Sequence, residues 1–148
     1  MELLSTIVHK IESAGTFAEK TEAVVETLYR EAEHYSWIGI YLVEGTQLSL
    51  AAWAGPQATE HTAIPIDEGI CGLAVREGRT VNIPDVDADS NYLACFPQTR
   101  SEVVVPIRHG EIIVGEIDID GDQKDAFTEK DIAFLEQVAG RLGEAWEA

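Results

Sequence analysis

The run Glu102-Val103-Val104-Val105-Pro106-Ile107-Arg108, the break His109-Gly110 and the run Glu111-Ile112-Ile113-Val114-Gly115-Glu116-Ile117-Asp118-Ile119-Asp120 decide the fold of this chain. Both runs are rich in β-branched residues, and a two-residue break containing glycine between such runs is the signature of a hairpin. In the second run Ile117 and Ile119 alternate with Asp118 and Asp120, the period of a strand with one apolar and one charged face. A second hairpin precedes it: Trp37-Ile38-Gly39-Ile40-Tyr41-Leu42-Val43, the turn Glu44-Gly45-Thr46, and a returning strand over 47–54. Gly55-Pro56 ends that hairpin, a polar segment leads to Ile64-Pro65-Ile66, and 69–76 reads as a short helix closed by Gly78. Val81-Asn82-Ile83 is a short strand, followed by a long loop over 84–100 holding the apolar island Tyr92-Leu93-Ala94-Cys95-Phe96. Loops of that length in compact domains are usually functional. At the ends, Leu3, Leu4, Ile7, Val8 and Ile11 recur at helical spacing, as do Ala18, Val24, Val25 and Leu28, and Thr128-Glu129-Lys130-Asp131 caps a final helix reaching Trp146. The order predicts an α+β fold, a central antiparallel sheet with the N- and C-terminal helices packed on one face.

The chain has 148 residues, 45% hydrophobic and 25% charged, without repeats or biased tracts, so residues 1–148 are expected to form one domain. Its 27 acids against 10 bases give a formal charge of −17. Such a surface repels nucleic-acid phosphates and anionic lipid, which excludes both as partners. No apolar run approaches the ~20 residues of a membrane span. The opening Met1-Glu2-Leu3-Leu4-Ser5-Thr6 lacks a basic region, so a cytoplasmic location is expected. In that reducing setting Cys71 and Cys95 are expected to be reactive or plain core residues, not a structural bridge.

The strand around Trp37 and Tyr41, the turn Asp67-Glu68-Gly69-Ile70-Cys71-Gly72, the loop over 86–96, Ser101-Glu102 before an apolar strand, Asp118-Ile119-Asp120 and Phe127-Thr128-Glu129-Lys130-Asp131 together resemble a GAF domain over nearly the whole length. Within that superfamily the chain is most similar to the free methionine-(R)-sulfoxide reductases. The specific matches are Trp37, Gly39 and Tyr41 on one strand, the Gly-Ile-Cys-Gly turn at Cys71, and Ala94-Cys95 placed 24 residues beyond it. Two features depart from the family pattern. Gly55-Pro56-Gln57-Ala58 is followed by Thr59, with His61 nearby, where the reductases carry a third cysteine, and their His-Ile-Ala-Cys-Asp becomes Tyr92-Leu93-Ala94-Cys95-Phe96.

The resemblance implies a reductase of a small free sulfoxide, with free L-methionine-(R)-sulfoxide as substrate. Cys95 would be the nucleophile and Cys71 its partner. The positions of Glu102, Asp118 and Asp120 would hold the substrate's polar end, and those of Trp37 and Tyr41 would pack around the sulfoxide and its methyl group. A thioredoxin-like reductant, no cofactor and a homodimer complete that expectation. The residues themselves support parts of it. Asp118 and Asp120 share one strand face, so with Glu102 on the partner strand three carboxylates converge, and a cluster of that kind calls for an ammonium or a metal ion. Cys71 at a helix start is expected to gain thiolate character from the helix dipole. His61 offers either a general acid or, with Cys71 and Cys95, a soft-metal site. Two further readings fit the same residues: a stand-alone small-molecule sensor domain, and a metal-dependent enzyme acting on a sulfur compound at His61, Cys71 and Cys95. The dimer is expected because Leu3, Ile7, Ile11, Ile132, Leu135, Val138 and Leu142 form apolar stripes beyond what one sheet layer needs.

Overall fold

In the computed structural model, which describes residues 2–90, 92 and 96–147, the elements run α1 (Glu2–Ser13), α2 (Phe17–Glu31), β1 (Trp37–Glu44), β2 (Gln47–Ala54), β3 (Ala63–Pro65), α3 (Gly69–Glu77), β4 (Val81–Ile83), a 3-10 turn (Val86–Ala88), β5 (Ser101–His109), β6 (Ile112–Gly121) and α4 (Glu129–Ala145). Both hairpins read from the sequence are present. They join through β1 and β6 into one antiparallel sheet of order β3-β2-β1-β6-β5-β4.

Period-two alternation then assigns the two faces. Ile38 and Ile40 of β1, Ile117 and Ile119 of β6, and Val103, Val105 and Ile107 of β5 point to one side. There they meet Ile7 and Ile11 of α1, Val24, Val25 and Leu28 of α2, and Leu135, Val138 and Leu142 of α4. Each fully buried aliphatic side chain contributes roughly 1.5–3 kcal/mol, so this face is the main source of stability. Thr16 with Glu19, and Thr128 with Asp131, form reciprocal capping boxes that start α2 and α4.

The apolar stripes from which a homodimer was expected lie in this same core. Ile7, Ile11, Leu135, Val138 and Leu142 are buried within the chain, and Leu3 and Ile132 pack against them. The premise of surplus apolar surface is therefore gone, because α1 packs against α2 and α4. Among the described residues no helix is long and apolar enough to cross a membrane.

Helix α3 covers the other face, where Ile70, Cys71 and Ala74 pack against Tyr41, Val81, Ile83 and Val104. Its seat is close: a Cβ at Gly72 would overlap the carbonyl of Ile66, and Arg76 Nη1 donates to that same carbonyl at 2.5 Å. On this face Trp37 lies flat across the backbone of Gly39 and Gly55, because a Cβ at either position would fall inside the ring. Its Nε1 donates to the Gln57 carbonyl at 3.1 Å, which fixes the indole's orientation. One extra residue in β2, between the partners of Ile40 and Tyr41, forms a bulge that bends the hairpin beside this ring.

Gly39→Ala is expected to push the Trp37 indole out of its seat and to destabilise the fold by about 1–3 kcal/mol, as overpacking does. Urea unfolding followed by tryptophan fluorescence checks this. An unchanged midpoint and an unchanged native emission spectrum would show that the indole does not need a glycine beneath it.

Candidate active site

Strand pairing brings the acids together. Directly paired residues of antiparallel strands project to the same face, and the register pairs Trp37 with Asp120, Gly39 with Asp118, Tyr41 with Glu116, and Glu102 with Asp120. Asp118, Asp120 and Glu102 therefore converge as expected, below Trp37 and Tyr41. A fourth acid joins them: Glu116, fully buried, which was not singled out in the sequence. Its signal was available, since Glu116 shares the parity of Asp118 and Asp120 along the strand. Cys71 enters from α3, and its sulfur lies with one oxygen each of Glu102 and Asp118 inside a set whose atoms are all within 4.8 Å of one another.

All of these groups are buried, and burial is the first cause acting on Cys71, Glu116, Asp118 and Asp120. It holds Glu116 well above the ordinary carboxylate range, with the neighbouring Cys71 thiol favouring its charge and Asp118 adding repulsion. Asp118 is raised too, although hydrogen bonds from Glu102 and Cys71 and the charge of His61 oppose the shift. Asp120 is pushed up by burial and by Asp118, with Thr99 Oγ1 donating to its Oδ2 at 3.3 Å. Both oxygens of Glu116, Asp118 Oδ1 and Asp120 Oδ1 have no partner at hydrogen-bonding geometry. Among the described residues no lysine or arginine acts on Cys71, Glu116, Asp118 or Asp120.

The expectation that Cys71 gains thiolate character is overturned. It stands third in α3, but burial pushes its thiol well up, and the charges of Asp118, Glu116 and Glu102 push it further. A helix terminus contributes about 0.3–1 kcal/mol to a nearby anion, up to about 2 when partly buried. Desolvating an ion costs several. Cys71 is accordingly a protonated thiol.

His61, half-buried in the loop before β3, borders this cluster: its backbone N–H donates to Thr59 Oγ1 at 3.0 Å, its carbonyl accepts from Tyr41 Oη at 2.8 Å, and its charge acts on Asp118. Trp37, 2% exposed, and Tyr41, fully buried, wall the site. Cys95 lies outside the described residues, and with it the proposed nucleophile and one ligand of the His61, Cys71 and Cys95 metal set. Its neighbour Phe96 packs on Trp37 with ring centroids 5.7 Å apart. A cavity of about 130 Å³ lined by Trp37, Phe96, Thr99 and Asp120 opens toward the cluster. A wider groove of about 570 Å³ lies in the helical layer, its lining including Leu3, Leu4, His34, Lys130, Asp131 and Phe134, with no cysteine among them. Asp131 there is lowered: burial opposes its charge, but Thr128, His34 and Tyr35 together outweigh it.

A family model described as a GAF domain matches residues 15–147. A free methionine-R-sulfoxide reductase of Escherichia coli is 33% identical over 115 residues, covering 78% of this chain and 68% of that protein. The structure of a free methionine-R-sulfoxide reductase from Neisseria meningitidis, in complex with its substrate, superposes with a TM-score of 0.91 at 32% identity over 97% of this chain and 86% of that one. A type II free methionine-R-sulfoxide reductase from Thermoplasma acidophilum superposes with a TM-score of 0.82 at 36% identity, over 97% of this chain and 94% of that one.

Glu116→Gln is expected to stabilise the ligand-free, chelator-treated protein at neutral pH by at least about 1 kcal/mol, since an amide of equal shape replaces an acid whose charged form is disfavoured there. An acid raised in the folded state contributes stability below its unfolded pKa and loses it as pH rises through the folded value. The gain over wild type should thus shrink toward zero as pH falls to the ordinary carboxylate range. Thermal unfolding across that range checks it; a variant less stable than wild type at neutral pH would mean that Glu116 holds a favourable partner.

Proposed function

The chain belongs to the GAF domain family, and from that premise, together with the buried acids under Trp37 and Tyr41, we propose that it reduces free L-methionine-(R)-sulfoxide by thiol chemistry. The observation that carries this reading is the cluster itself: Glu102, Glu116, Asp118 and Asp120 are buried together, and among the described residues no lysine or arginine acts on Glu116, Asp118 or Asp120. A free amino acid brings the missing cation as its ammonium. A peptide-bound methionine sulfoxide has no such group beside its side chain, which accounts for selectivity toward the free form. The aromatic walls supply apolar contact for the methyl group and a polarisable face for sulfur.

In this reading the ammonium draws the carboxyls toward their charged forms. The proton they release is available to the sulfoxide oxygen. The Cys95 thiolate attacks the sulfoxide sulfur, the oxygen passes to Cys95 with one proton, and the products are a Cys95 sulfenic acid and methionine. The Cys71 thiol then condenses with that sulfenic acid, forming the disulfide and releasing water. A thioredoxin-like dithiol returns both cysteines to thiols and is itself oxidised to a disulfide. Thr59 or His61, depending on register, stands where the family's third cysteine would be, so Cys71 is the internal thiol left for the second step.

A thioredoxin-coupled assay in the presence of a chelator, with free and peptide-bound methionine sulfoxide and each sulfur epimer supplied separately, is expected to show turnover of the free R epimer alone. Turnover of the peptide-bound form, or none of the free R epimer, would overturn the substrate assignment.

Mass spectrometry after one equivalent of substrate tests the thiol chemistry. Wild type is expected to lose two hydrogens, Cys71→Ser to gain one oxygen on Cys95, and Cys95→Ser to remain unmodified while staying folded. Turnover that survives Cys95→Ser would remove Cys95 from the mechanism.

A further inference from the structure

We propose that the buried cluster is also a site for one thiophilic divalent transition-metal ion of the zinc class, held by Cys71 Sγ and one carboxylate oxygen each of Glu102 and Asp118, and that metal and amino-acid substrate exclude one another there. The second half rests on the reading of this cluster as the seat of the substrate's ammonium; the first half stands without it.

Three donor atoms from β5, β6 and α3 lie within 4.8 Å of one another. Tetrahedral ligands at roughly 2.0–2.3 Å from a zinc ion stand about 3.3–3.8 Å apart, so small side-chain rotations close the set. A second observation points to a cation independently of these three residues. Glu116, fully buried in the same cluster, has neither oxygen at hydrogen-bonding geometry with any partner among the described residues. Buried carboxylate oxygens normally find a donor or an ion. A divalent charge at the centre of the cluster compensates all of them at once.

The donor set selects the kind of metal. Calcium and magnesium take oxygen ligands alone, whereas a thiolate beside two carboxylates suits zinc and cobalt(II). Three protein ligands leave a fourth position open, as in catalytic and exchangeable sites. The set differs from the His61, Cys71 and Cys95 combination read from sequence because the sheet register places Glu102 and Asp118 against Cys71. Binding replaces the thiol proton by the metal, with the proton released to solvent. The Cys71 sulfur is then committed to the ion and withdrawn from disulfide formation.

Anaerobic titration of the reduced, chelator-treated full chain with cobalt(II) tests the site. The expected result is a thiolate-to-cobalt charge-transfer band that saturates at one equivalent, disappears on adding zinc, survives Cys95→Ser and is absent in Cys71→Ser. Glu102→Gln and Asp118→Asn should each weaken cobalt binding at least tenfold. No saturable band in wild type, or a band that survives Cys71→Ser, would overturn the site. Because the wild-type titration needs no variant, misfolding of a mutant cannot conceal a negative result. Free L-methionine-(R)-sulfoxide added to the cobalt form should bleach the band in proportion to its occupancy, and a band that persists at saturating sulfoxide would overturn the mutual exclusion. Turnover by metal-free protein is measured separately: turnover without a cobalt band sinks the metal site and leaves the reductase, and a cobalt band without turnover does the reverse.

Discussion

Strand β6 has to satisfy two opposite environments at once, and the rest of the molecule is arranged around that constraint. It is a central strand, paired with β1 on one side and β5 on the other, with α1, α2 and α4 over one face and α3 over the other. Its alternation of Ile117 and Ile119 with Glu116, Asp118 and Asp120 leaves no freedom of register, because a slip of one residue would drive the acids into the main core. The apolar half supplies the free energy that keeps the strand in place. The acidic half is held buried against its own preference for water.

That division explains why the sheet carries two cores of different character. The helical side is a closed aliphatic layer started by two capping boxes. The α3 side mixes aliphatic residues with a thiol, aromatic walls and carboxylates whose burial disfavours their charged forms. The arrangement fits a general pattern: binding sites are less stable than the scaffold that positions them, and their polar groups await a ligand.

Much of this was legible in the sequence because period-two alternation and turn chemistry are local. The 117–120 repeat, the Gly45 and Gly110 turns and the Thr128 cap fixed hairpins, faces and the last helix without any tertiary information. Glu102, Asp118 and Asp120 were placed by the same parity. Glu116 obeys that parity as well, yet it sits beside Gly115 just where the hairpin leaves its charged face, and the pairing with Tyr41 that buries it is long-range. The raised Cys71 thiol had no local signal at all. Position at a helix start favours an anion, and only the register of β5 and β6 brings three acids against the sulfur. Thr99, which donates to Asp120, lies in the long loop, where no periodicity marks a residue's direction.

The protonated state of Cys71 also bears on the order of the chemistry. A buried thiol beside acids is a poor nucleophile until its proton has somewhere to go, and oxidants in solution meet it as an inert core residue. A sulfenic acid at Cys95 changes that, because its hydroxyl leaves as water and takes up the proton that the thiol gives away. In the proposed cycle the same acids that suppress the thiolate in the resting protein would be drawn to their charged forms by the substrate's ammonium, and the proton they lose would be the one the sulfoxide oxygen requires. One cluster then serves both halves of the cycle. A divalent metal in that position would satisfy the same electrostatic demand by binding the sulfur itself, leaving neither a proton for the sulfoxide nor a thiol for the second step.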